Sequence, residues 1–237
     1  MLGEPPQTEY DLNWTLFDIP IRIHPLFWLI IFLLGCSGLN GTGSENFASM
    51  LAWVLACLIS IIVHELGHAL TGKKYGSSGV YIVLHGMGGL AINARGRSRF
   101  QRIMVIAAGP GAGLLLYALF LGIDHIGSVS NAPIFANFFV IAFIRDMLWI
   151  NLVWSILNLI PVFPLDGGQI MGQIICIPKK GKMFGNDSRG MLRTFKVSMI
   201  IAIAVACFAL TKDDIFIAVM FGYFAYMNYQ YMNQYRW

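Results

Sequence analysis

The sequence predicts an all-α polytopic membrane protein of six transmembrane segments with a small membrane-associated β-sheet or hairpin. Three observations predict it. Of 237 residues, 57% are hydrophobic and 12% charged, about half the charged share of an ordinary soluble domain. Apolar runs of spanning length recur between polar turns, and the mean hydropathy is +0.66. Two short β-branched stretches, around residues 19–23 and 80–84, are too short to cross as helices. The net charge of +4 suggests nucleic acid only until the charges are placed along the chain, where they read as topology, so no nucleic-acid partner is expected. The four cysteines sit in apolar segments without a CxxC pair, as buried thiols do. The first eighteen residues hold no Lys or Arg, which excludes an ordinary secretory or transit peptide.

Residues 1–13 read as a polar leader. Alternation at Ile19, Ile21 and Ile23 predicts a strand within 14–23, ended by His24-Pro25. Residues 26–39 make a short first span, and 40–46 a turn-rich loop. The second span, 47–72, stops at Lys73-Lys74. A hairpin is predicted over 80–92, paired with the 14–23 strand, and its glycines permit a tight turn or close backbone approach. Gly88 and Gly89 are therefore candidate substrate contacts. The third span, 103–123, contains Gly109-Pro110-Gly111-Ala112-Gly113, a run of small residues suited to close helix packing. After a loop over 124–133, an apolar stretch is interrupted by Arg145-Asp146, where a boundary is expected. The fourth span, 147–177, is broken near 161–168 by two prolines and two glycines. Such breaks line binding sites in membrane proteins. A basic loop over 178–196 precedes the fifth span, 197–210, and the sixth, 215–231. All of 1–237 reads as one domain without repeats.

Placed on these six crossings, fourteen of the sixteen basic residues fall on one side, with only Arg145 and Lys212 on the other. That bias puts both termini in the cytosol. His68 precedes Lys73 by five residues, about 7–10 Å below the cytosolic surface. The expected setting is a multi-pass protein of a prokaryotic cell membrane with its site near the cytosolic face.

The chemistry centres on His64-Glu65-Leu66-Gly67-His68 in the second span. Residues four apart share a helix face, so the two imidazoles can meet one metal ion, with Glu65 beside them as general base. Two histidines satisfied by hydrogen bonds inside a bundle are the bland alternative, but ionisable groups at membrane depth are costly unless paired or bound. A catalytic site needs a third ligand. No glutamate follows Glu65, and Thr71 and Lys74 break the extended HExxHxxGxxH pattern. Asp187, Asp213 and Asp214 sit in polar loops; Asp124, His125 and Asp146 map to the far face. His24 and His85 have structural uses beside strand ends. Asp166, in the broken span, remains.

These residues, with Asn158-Leu159-Ile160-Pro161-Val162-Phe163-Pro164-Leu165-Asp166-Gly167-Gly168, resemble the site-2 protease family of intramembrane zinc metalloproteases; residues 19–25 resemble it too. The resemblance implies one zinc ion held by His64, His68 and Asp166, Glu65 as base, and cleavage within transmembrane segments of membrane protein substrates in the bilayer, often in regulatory signalling. Asn158 would hold substrate or a developing oxyanion; its alternative is a helix-packing amide. Family members often carry Asn where this chain has Gly113. The sequence shows no stretch suited to a PDZ or CBS domain, so a minimal form is expected, and no regulatory partner is evident. A zinc transporter or metal sensor would use the same ligands, but would need polar residues across the outer half of the spans, which carry few. A silent scaffold is disfavoured by the full ligand set.

Overall fold

Strand hydrogen bonding and apolar burial meet at the N-terminal end of the chain. The computed structural model describes residues 4–36, 43–86, 88–130, 132–176 and 187–234. They fall into two units, one of residues 3–156 and one built on residues 157–237. The first holds β1 (Leu12–Leu16), β2 (Ile19–Ile23), α1 (Pro25–Cys36), α2 (Gly43–Lys74), β3 (Tyr81–His85), β4 (Gly88–Ile92), α3 (Arg99–Ser130), a 3-10 turn (Pro133–Ala136) and most of α4 (Phe138–Leu159). The strand order is β1-β2-β3-β4. The outer pairs are antiparallel, while β2 and β3 are parallel with Ile21 opposite Ile82 and Ile23 opposite Leu84. A parallel pair needs a crossover, which α1 and α2 supply.

The expected pairing of residues 14–23 with the 80–92 hairpin is found, with one correction. The single strand is two, folded back at Phe17 and Asp18, both with positive φ (52° and 56°). Two left-handed residues make the tight turn that suits strand twist, but Phe-Asp carries none of the Asn-Gly signal that marks it. Ile19, Ile21, Ile23, Ile82 and Leu84 are buried against Phe27 and Ile31 of α1 and Ala56, Ile61, Leu66 and Ala69 of α2. Burial contributes about 1.5–3 kcal/mol for each large side chain.

Two helices run further than expected. α3 continues through Asp124 and His125 to Ser130, because the isolated Gly122 and Gly127 cost only about 1 kcal/mol each and no proline intervenes before Pro133. α4 passes straight through Arg145-Asp146, so the predicted boundary is absent. The Arg145 guanidinium contacts Asp146 at 3.0 Å, with Asp146 buried and Arg145 reaching outward. Among the described residues, α2, α3, α4 and α6 (Ser188–Leu210) are long and apolar enough to cross a membrane. Against the six predicted crossings, α1 has 12 residues. α7 (Ile215–Gln234) is diluted by Tyr, Asn and Gln.

The second unit holds the end of α4, α5 (Asp166–Ile175), α6 and α7. The predicted break is present between α4 and α5, with a cis Phe163–Pro164 bond. A Cβ on Gly167 would strike the Leu159 carbonyl, and one on Gly168 the backbone of Val162 and Phe163. Glycine is thus what lets α5 fold back on the break. The Phe163 N–H donates to Ser198 Oγ at 3.0 Å, and its carbonyl accepts from Asn228 Nδ2. Side chains of α6 and α7 thereby satisfy backbone groups that no helix ladder serves. Of the basic loop over 178–196, residues 178–186 lie outside the described residues; Arg189, Arg193 and Lys196 are already helical.

Candidate metal centre

α2 buries His64, Glu65 and His68 near its C-terminal end. Their ligand atoms all lie within 4.8 Å of one another. The spacing of four does this, placing one ring a turn above the other. His64 Nε2 and His68 Nε2 stand 3.2 Å apart. Two nitrogens each about 2.0–2.1 Å from a tetrahedral ion would be separated by about 3.3 Å, so the pair fits one zinc-sized ion. The His68 Nδ1–H donates to the Val105 carbonyl of α3 at 2.8 Å. That bond sets the ring proton on Nδ1, so that Nε2 turns its lone pair toward His64, and it holds the ring's orientation, as outer partners of metal-binding histidines do.

Close approach of α3 makes this possible. A Cβ on Gly67 would collide with the Ala108 carbonyl, and one on Gly109 with the imidazole of His68. Val105 and Gly109 belong to the site, and the sequence reading did not assign them to it. The signal for Gly109 was the small-residue run 109–113, read as packing alone; Val105 carried none. At Gly113 the space beside the glycine is taken by Ser155 Oγ of α4.

β4 closes the site from the other side. A Cβ on Gly89 would lie 2.5 Å from Glu65 Oε1 and 2.6 Å from its Cδ. The strand backbone therefore runs directly past the carboxylate. Gly88 has φ of +117°, a conformation that side chains disfavour, and a Cβ there would stand 3.1 Å from Trp154.

The other candidates sort by what they touch. His24 Nδ1 accepts from the Leu26 N–H at 3.2 Å, serving the first turn of α1. Burial pushes His85 below the ordinary histidine value, with His24 and Arg22 adding to the shift. Asp124 and His125 are exposed, and Asp146 binds Arg145. Asp166 is buried in the first turn of α5 and Asn158 lies in the last turn of α4, both in the second unit.

The family profile of peptidase M50B-like proteins matches residues 46–169, a stretch that contains every residue of this centre. A Synechocystis sp. protein named as a candidate zinc metalloprotease is 30% identical over 77% of this chain and 47% of its own length. A zinc metalloprotease of Methanocaldococcus jannaschii is 29% identical, over 68% of this chain and 44% of that protein. The chain spans about half the length of these relatives. In fold it is similar to the site-2 protease from M. jannaschii, with a TM-score of 0.60 and 20% identity over 94% of this chain and 95% of that one. The chain belongs to the peptidase M50B-like family.

Proposed function

We propose that this chain is an intramembrane zinc metalloprotease that hydrolyses peptide bonds within transmembrane segments of membrane protein substrates. The observation that carries the reading is the pair of buried imidazole nitrogens 3.2 Å apart with a carboxylate beside them. His64 and His68 would hold the ion, and Asp166 would supply the third ligand. Support for Asp166 is its burial at the start of α5, directly after the broken segment. Zinc bound there would polarise a peptide carbonyl and bring the pKa of water toward neutrality. Glu65 takes the proton from the attacking water and returns it to the leaving amine. Its neighbour β4 offers an edge to which an unwound substrate adds as a further strand, with Gly88 and Gly89 keeping backbone close to Glu65. A helical substrate hides its carbonyls, so strand pairing offsets some of the helix hydrogen bonds it gives up. Asn158 holds the substrate or its developing oxyanion. The six-crossing arrangement with cytosolic termini belongs to the same reading, supported by the distribution of basic residues.

The test uses the full chain in lipid nanodiscs with a single-span substrate, with and without a chelator. Cleavage should require the metal. Glu65→Gln should retain zinc while the rate falls by at least about 100-fold. Undiminished proteolysis by that variant would refute the assignment of the base.

A further inference from the structure

The sheet has two unlike faces, and one reaches beyond what covers it. Register sets Leu12 opposite Ile23, Trp14 opposite Ile21 and Leu16 opposite Ile19, so these six side chains share one face. The three isoleucines are buried against α1 and α2. Leu12 is 52% exposed and Trp14 36%, and Phe17 at the turn is 65% exposed. β3 and β4 pack on α2, and β1 lies two strands out from β3, carrying the apolar face past the helices. The opposite face is polar. Asn13 and Thr15 project there with Arg22, whose guanidinium binds Glu4 and Asp11, each at 2.8 Å. Glu4 in turn accepts from the Tyr81 hydroxyl at 2.7 Å.

Two contacts give this sheet a depth. Lys73 Nζ, at the C-terminal end of α2, donates to the Phe17 carbonyl at 3.2 Å, pinning the β1–β2 turn level with that end. At the other end of the sheet, Gly86 approaches Ile30 and Leu26 of α1. The apolar side of the sheet faces α1 and α2, and α1 itself exposes Leu29 and Leu33, at 51% and 56%.

We propose that β1 lies in the boundary between headgroups and acyl chains, with Leu12, Trp14 and Phe17 in lipid and Asn13 and Thr15 toward water. Trp is suited to that layer, and Lys73 and Lys74 suit an anionic leaflet beside it. The occupant of the exposed face is thus the bilayer itself. Held there, β1 sets the depth of the sheet and so of β4, whose Gly89 backbone abuts Glu65. The inference needs only that α2 crosses a membrane, not that the chain is a protease.

The experiment places an environment-sensitive fluorophore on cysteines introduced singly at positions 12 to 15, in the full chain with Cys36 and Cys207 replaced by Ala. The protein is reconstituted in vesicles of phosphatidylcholine and phosphatidylglycerol. Brominated acyl chains should quench positions 12 and 14 about twofold or more above positions 13 and 15, and aqueous iodide should show the reverse order. As a check without labels, wild type should lose more tryptophan emission to brominated lipid than Trp14→Phe does. Quenching with no period of two overturns the proposal. So does shielding of 12 and 14 from both quenchers, which would mean a second copy or another protein covers the face. Iodide reaching 12 and 14 freely would mean the strand stands in water.

Discussion

Gly109 decides how near His68 can stand to its partner imidazole. Any Cβ at that position would enter the ring of His68, and helix backbones leave no slack to relieve it. Gly109→Ala should therefore turn the ring off its bond to Val105 and lower zinc affinity by about 10–100-fold, the usual cost of disturbing an outer partner. Zinc titration of the purified protein measures this. Gly89→Ala makes the contrasting case, since its methyl would press on the Glu65 carboxylate rather than on a metal ligand. There zinc should bind normally while turnover falls on the order of 100-fold. If both variants lose zinc equally, Glu65 and the histidines are not separable in the way their neighbours imply.

Among the elements, the sheet and the segment folded over its polar face can be tested by pH. Burial alone would raise the Asp11 carboxyl. The Thr8 hydroxyl at 2.7 Å, Arg22 at 2.8 Å and the Thr8 N–H outweigh it and hold the group at about 2, below its ordinary 3.8. A carboxyl held down in this way stabilises the folded segment fully above about pH 4, and the contribution is lost as pH falls through about 2. Carbon-13 shifts of the Asp11 carboxyl should titrate near 2 in wild type and move toward 3.8 in Arg22→Gln. The same elements show what a sequence can reveal. The HELGH helix, the 80–92 hairpin and the broken fourth span were legible because spacing of four, alternation and paired prolines and glycines are local signals. The Phe17-Asp18 turn was not, since neither residue type announces a left-handed conformation. Nor was the unbroken α4: an Arg-Asp pair looks like a boundary until the two side chains are seen to neutralise each other. Val105 acts through its carbonyl, which no side-chain pattern can disclose.

At the scale of the whole molecule, the response to zinc tests Asp166, the proposed third ligand beside His64 and His68. An ion bound only by the folded state stabilises it by an amount that grows with concentration, about 4 kcal/mol at a thousandfold its dissociation constant. If Asp166 is a ligand, that stabilisation reaches α5 as well as α2. Zinc should then raise the thermal midpoint of wild type and slow hydrogen exchange both in α2 and in α5. In Asp166→Ala the midpoint should rise much less, and slowing should persist only around His64 and His68, because two imidazoles still bind weakly without reference to α5. Replacing His64 instead should weaken the effect in both helices together. Exchange in residues 166–175 that ignores zinc in wild type would remove Asp166 from the ligand set. It would leave the imidazole pair intact and send the search for the third ligand to another residue.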